Sequence, residues 1–180
     1  MWLGNLHADH FYIPAMFALS IIFCTALAML VHELGHLLAA RSLKVSCSEL
    51  GIGLGPKLFS ASMRTITFSL RVLPLGSFVR LDGSALKAKS PARQLYVHLA
   101  GIAFNLIVGF ATYGTTLSWI NLLVGFGNLL PLYQHDGWKC GVVILRTLMR
   151  RKCQPAEWAF TFSGGFVSVV IGWLVIKAFA

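Results

Sequence analysis

His32, Glu33 and His36 stand in the run MLVHELGHLL (Met29 to Leu38), a His-Glu-x-x-His signature inside an almost unbroken apolar stretch. On a helix of 3.6 residues per turn the two histidines share one face a turn apart, so both imidazoles can reach one zinc ion at about 2.0 Å from each nitrogen. Glu33 lies beside them, free to take a proton from water activated by such a metal. A glutamate and two histidines are costly in hydrocarbon, so their presence in a spanning segment marks a functional site. The pattern fixes only three residues, and a chance match is the plainer alternative. The apolar surround weighs against it, because a soluble helix could carry these groups at little cost and a spanning one cannot.

Catalytic zinc takes a third protein ligand and keeps an open position. Asp136 is the candidate, in the segment NLLPLYQHDG from Asn128 to Gly137, where Pro131 interrupts helical bonding and Gly137 permits an unusual backbone angle. Capping a helix at the membrane boundary is the plainer role for an Asp-Gly pair, and the neighbouring His135 is an alternative ligand. Only six Asp and Glu occur, and two of them, Glu33 and Asp136, lie in apolar stretches next to a histidine. His7, His10 and His98 have no partner at helical spacing and are read as interfacial or packing residues. Trp138 and Lys139 suit the membrane-water boundary.

The elements that must carry these residues follow from composition. With 180 residues, 57% hydrophobic and 12% charged, and a mean hydropathy of +0.74, the chain falls in the membrane class, at a length for one domain over 1–180. Its 15 Lys and Arg against 6 acids form no basic cluster with interleaved aromatics, which excludes a nucleic-acid partner. The cations bracket apolar segments instead, as topology signals and contacts to the lipid bilayer do. Cys24, Cys47, Cys140 and Cys153 make no C-x-x-C pair, so they read as packing residues or inert thiols. The start of the chain has no Lys or Arg before its apolar run and no small-residue cleavage site, so that run reads as a retained span.

Four membrane helices are expected, over about 13–42, 91–113, 116–137 and 158–179, giving an α-helical polytopic membrane protein. Between the first two, about 45–82 alternates in TITFSLRV and is punctuated by Gly51, Gly53, Gly55, Pro56, Pro74 and Gly76, which predicts a β-hairpin-rich segment of short strands. The three spaced glycines lack the Lys-Ser/Thr ending and following helix of a phosphate-binding loop. Lys and Arg fall at Arg41 to Arg93 and Arg146 to Lys152 and are absent from 1–40 and 94–138, so both termini are expected on one side and the two polar connections in the cytoplasm. Lys177 is a single opposing vote. Counted from the outer ends, His32 follows Ile13 by 19 residues and Asp136 follows Thr116 by 20, about 30 Å along in each case, near the cytoplasmic side.

In order along the chain, these segments resemble the site-2 protease family of intramembrane zinc metalloproteases. HELGHLLAAR resembles its first helix, GIGLGPKLF and LRVLPLGSFVRLDG its β-rich segment, AGIAFN its Ala-Gly-Pro-x-x-Asn segment, and NLLPLYQHDG its Asn-x-x-Pro-x-x-x-Leu-Asp-Gly segment. The resemblance implies that His32, His36 and Asp136 bind Zn²⁺, that Glu33 is the general base, and that Asn105 and Asn128 handle substrate. Ile102 stands where the family has proline, Ser77 where it has glycine, and His135 where it has leucine. The connection of about 50 residues between the first two spans leaves no room for the peptide-binding or nucleotide-sensing domains of many relatives, which implies a minimal catalytic core.

The expected activity is hydrolysis of a membrane-anchored, single-span protein within or near its spanning helix, after local unwinding in a hydrated pocket. An exposed edge of the β-rich segment could pair with the unwound chain. Asn105, about 18 Å into the second span, could donate to the oxyanion or simply bond between helices. Two rival functions remain: a non-proteolytic, metal-binding membrane subunit that binds a partner protein, against which the intact Glu33 argues, and a zinc transporter, which would need ligands along the whole bilayer rather than one cluster.

Overall fold

The computed structural model describes residues 6–63, 65–149 and 154–179. Arg150 to Cys153 lie outside the described residues, as do the side chains of His7 and His10. Along the chain run α1 (Leu6–Ser42), β1 (Cys47–Met63), β2 (Ile66–Leu81), α2 (Gly83–Lys87), α3 (Pro91–Ala111), α4 (Thr116–Leu129), α5 (Asp136–Leu148) and α6 (Gln154–Phe179).

Among the described residues, three stretches are long and apolar enough to cross a membrane: Met16–Ser42, Pro91–Ala111 and Gln154–Ala178, with mean hydropathies of 2.0, 1.5 and 2.0. Large apolar side chains such as Phe17, Phe23, Phe166 and Ile176 are exposed along α1 and α6. Such surfaces suit lipid and would be aberrant in water. The expected span over 116–137 differs. It is divided into α4, which at 14 residues is about 21 Å long, a non-helical stretch, and α5, which Asp136 opens. Pro131 explains the break: it has no N–H to donate, and it drives the residue before it out of the helical region. Leu130 is accordingly extended, at φ −65° and ψ 142°.

The helices meet through small residues, which let backbones approach closely where apolar bulk alone gives no preference for helix over lipid. A Cβ on Gly35 of α1 would lie 2.6 Å from the Ala100 carbonyl oxygen of α3. Ala39, Ala40, Val45, Leu86, Val97 and Ala100 form the buried cluster around this crossing. Where α3 meets α4, Ser118 Oγ donates to the Gly109 carbonyl (2.7 Å).

β1 and β2 form a two-stranded antiparallel sheet. They are 17 and 16 residues long, not the short strands expected, and they bend so that the first half of β1 has β2 on both sides. Leu50 is in register with both Val79 and Phe68, and Ile52 with both Ser77 and Leu70, while Phe59 to Met63 close a hairpin with Ile66 to Leu70. Gly53, at φ +93°, makes one bend, and any Cβ there would strike the Leu73 carbonyl.

One face of the sheet packs on α1, with Leu37, Cys47, Leu50 and Ile66 buried together. On the sheet the Glu49 carboxylate is 5% exposed, accepts from Ser69 Oγ (2.7 Å), and pairs with Lys57 (2.9 Å), Arg80 (3.3 Å) and Arg71 (3.6 Å). The Lys57 bond, helped by Ser69, pulls the Glu49 carboxyl down to about 2.

Candidate metal centre

α1, α3, α4 and α5 each contribute one part of a polar centre inside this apolar body. His32 and His36, one turn apart on α1, hold their rings nearly perpendicular (83°) with centroids 4.7 Å apart. Asp136 joins them from the first turn of α5, where a helix N-terminus favours a carboxylate. Its Oδ2 lies 2.8 Å from Nε2 of each histidine, and the two Nε2 atoms are 3.1 Å apart. The other carboxylate oxygen, Oδ1, accepts from Lys139 Nζ (2.8 Å). All three residues are buried, with exposures of 6%, 6% and 2%.

The far nitrogen of each ring decides what this cluster can hold. His36 Nδ1 donates to the Val97 carbonyl (2.7 Å), and His32 Nδ1 donates to Asn105 Oδ1 (2.6 Å). Both partners are oxygens that only accept, so each Nδ1 carries the proton and each neutral ring turns a bare Nε2 inward. With both rings neutral, two nitrogen lone pairs and a carboxylate oxygen converge on one point, an arrangement that calls for a positive charge, a metal ion or a proton, among them.

Among the described residues, these three are the His, Cys, Asp and Glu group able to hold a metal. Two imidazoles and a carboxylate suit zinc. Bonds of about 2.0 Å in a tetrahedron space the donor atoms about 3.3 Å apart, a few tenths of an ångström wider than seen here. A Cβ on Gly101 would fall 2.5 Å from His36 Nε2 and 2.9 Å from His32 Nε2. Only a glycine leaves that space open.

A cavity of about 320 Å³ opens on the cluster, with Glu33, Val79, Leu81, Asn128, Gln134 and Lys139 in its wall. Glu33 makes no hydrogen bond or ion pair with any described residue, which leaves its carboxylate available to the cavity. Asn128 donates to the Val124 carbonyl of its own helix (3.0 Å). Asn105, fully buried, has all its bonds within the protein: besides accepting from His32, its Nδ2 donates to the Ala28 carbonyl and to Asn121 Oδ1, each at 2.8 Å.

His135, the alternative ligand, caps α5 from outside the cluster and donates through Nδ1 to the Tyr133 carbonyl at 3.4 Å. His98 lines the cavity but is not in the metal-holding group. Cys47 and Cys140 are buried free thiols, while Cys153 falls outside the described residues. Two participants escape a reading of the sequence. Lys139, taken there for a boundary residue, binds Asp136. Asn121, itself fully buried, was signalled only by being an amide within an apolar segment.

A family model described as "Peptidase family M50" matches residues 20–118. A Thermotoga maritima protein named "Putative zinc metalloprotease" is 36% identical over 117 residues, covering 57% of this chain and 23% of that protein. The "Regulator of sigma-W protease RasP" of Bacillus subtilis is 42% identical over 72 residues, 40% of this chain and 17% of its own. The "Zinc metalloprotease RasP" of Geobacillus kaustophilus is 50% identical over 52 residues, 29% of this chain and 12% of its own. The matched part of the chain thus spans about a quarter or less of the length of these curated relatives. The family match takes in α1 from Ser20 on, the sheet, α3 and the first three residues of α4. Asp136 lies beyond it and joins the site through its geometry and the resemblance of NLLPLYQHDG.

Proposed function

The chain belongs to peptidase family M50, and from that we propose that it is an intramembrane zinc metalloendopeptidase. It hydrolyses a peptide bond within or near the spanning segment of a membrane-anchored, single-span protein. The observation that carries this reading is the convergence of His32 Nε2, His36 Nε2 and Asp136 Oδ2 with both Nδ1 atoms already spent on oxygen acceptors. Residues 1–180 act as one catalytic core.

Zinc, when bound, supplies Lewis acidity that polarises a carbonyl and eases the ionisation of water. The chain's residues do the rest. His32, His36 and Asp136 hold the ion, and Lys139 steadies the carboxylate by occupying its second oxygen. Glu33, open to the same cavity, takes the proton of the attacking water and returns it to the leaving amine. Asn128 in the cavity wall donates to the substrate carbonyl as its oxygen gains charge. Val79 and Leu81 line the cavity from the segment Ser77 to Leu81, whose one paired edge runs along β1. Its other edge has no strand partner among the described residues, which favours pairing with an unwound substrate chain through main-chain bonds of low sequence selectivity.

The distribution of Lys and Arg supports an active site towards the cytoplasm and termini on the opposite side, since Arg41 and Lys44 follow the first span while Lys87, Lys89 and Arg93 precede or open the next. The name of the Bacillus relative, "Regulator of sigma-W protease RasP", supports a regulatory protein as the kind of substrate. Co-expression with tagged single-span proteins, comparing wild type with Glu33→Gln, tests the reading. A shortened product in wild type and none in the variant is expected. A biological effect that persists in Glu33→Gln without any product would identify a binding subunit instead.

A further inference from the structure

We propose that Asn105 and Asn121 form a positioning unit that sets the tautomer of His32 and so keeps its Nε2 in metal-binding form; this deepens the zinc-protease reading above and rests on it. Neither residue belongs to the group that could hold the ion. They act through a directed chain of hydrogen bonds that crosses three helices, from Asn121 on α4 through Asn105 on α3 to His32 on α1.

The direction of that chain is fixed by two backbone carbonyls, one on each asparagine, which cannot donate. Asn121 Nδ2 donates to the Leu117 carbonyl (2.9 Å), so its Oδ1 must face Asn105. Asn105 Nδ2 then has two acceptors, Asn121 Oδ1 and the Ala28 carbonyl, both at 2.8 Å. Its amide has one orientation that satisfies them, and that orientation turns Oδ1 towards His32 Nδ1 at 2.6 Å. Flipping the Asn105 amide would set its oxygen against two other acceptors and present an N–H to His32. The ring would answer by moving its proton to Nε2, where the proton would occupy the ion's place. Both asparagines are 0% exposed, so water offers no alternative partner. A buried amide that served only to join helices could face either way; this one is held one way by two acceptor oxygens, the Ala28 carbonyl and Asn121 Oδ1.

An isosteric exchange separates the two roles. Asn105→Asp keeps an acceptor at His32 but gives up both N–H donors that tie α3 to α1 and α4. Carboxylate-histidine-zinc contacts are common in metal sites. Asn105→Leu removes the acceptor as well. The experiment uses the full chain in detergent, every variant carrying Glu33→Gln, and reads zinc retention against a graded chelator beside thermal unfolding of the metal-free protein.

The expected result is a loss of zinc affinity of about 10- to 100-fold for Asn105→Leu, affinity near that of the parent for Asn105→Asp despite a lowered unfolding temperature, and a smaller loss for Asn121→Leu that Asn121→Asp restores. Should Asn105→Leu fail to fold, the Asn121 pair together with Asn105→Asp decides. Equal retention by parent, Asn105→Leu and Asn121→Leu would overturn the positioning role alone, as would Asn105→Asp losing zinc as fully as Asn105→Leu. A parent that binds no zinc at all would remove the metalloprotease reading, and the proposal with it.

Discussion

Gly101 on α3 lies so close to His36 on α1 that a methyl group on its Cα would stand 2.5 Å from Nε2. The same methyl would be 2.9 Å from His32 Nε2. It would fill the space on which the proposed zinc ligands converge, although alanine in place of glycine inside a helix favours the helix by about 0.5–1 kcal/mol. Gly101→Ala is therefore expected to insert and fold yet retain no zinc and show no proteolysis. Metal content beside a helical circular dichroism spectrum measures both. Zinc held as in wild type would mean that the ion sits elsewhere.

Asn128 and Asn105 entered the sequence reading with the same role, and the fold gives them different surroundings. Asn128 faces the cavity and is bonded to a single carbonyl of its own helix, whereas Asn105 is enclosed. Replacing Asn128 with leucine is expected to lower kcat on the order of 10²-fold, the usual cost of one oxyanion donor, with zinc content unchanged. Turnover of a single-span reporter, with metal analysis of the same preparation, checks it. Loss of zinc with activity would move Asn128 from substrate handling to support of the metal cluster.

How much of this was legible beforehand depended on whether a residue's neighbours were local or distant. His32 and His36 could be paired because helical spacing alone puts them on one face. Asp136 stood out as a carboxylate in an apolar stretch. Its aiming differs from the expectation: Pro131 ends α4 outright, and Gly137 is not among the residues of positive φ. It is small because any Cβ there would collide with the Leu129 carbonyl, letting α5 start hard against the end of α4. Asn121 depends on a partner 16 residues away through side-chain geometry, and the period of hydrophobicity carries no record of such a contact; Lys139 stands at i+3 from Asp136, a spacing that becomes readable only once a helix is known to open at Asp136. The doubled register of β1 was hidden likewise, because alternation reports which face is apolar and not how many neighbours a strand has.

Glu49 makes the sheet sensitive to acid. Its carboxyl is held at about 2 by Lys57 and Ser69, below the ~4.3 of an unstructured glutamate. A depressed carboxyl contributes stability that is fully present above the unfolded value and is lost as pH falls from about 4.3 towards 2. Hydrogen exchange in β1 and β2 is expected to accelerate across that window, and in Glu49→Gln to be fast already at neutral pH, where Lys57, Arg71 and Arg80 would face each other with no carboxylate between them. Identical acid profiles for the two proteins would assign the sensitivity to another group.

The central claim is that α1 and α5 share one ion through two imidazoles and one carboxylate. The most direct measurement is zinc stoichiometry after dialysis against a weak chelator, comparing wild type with Asp136→Ala and His135→Ala. One zinc per chain in wild type and His135→Ala, and none in Asp136→Ala, is the predicted result. Zinc retained by Asp136→Ala, or absent from wild type, would contradict the account.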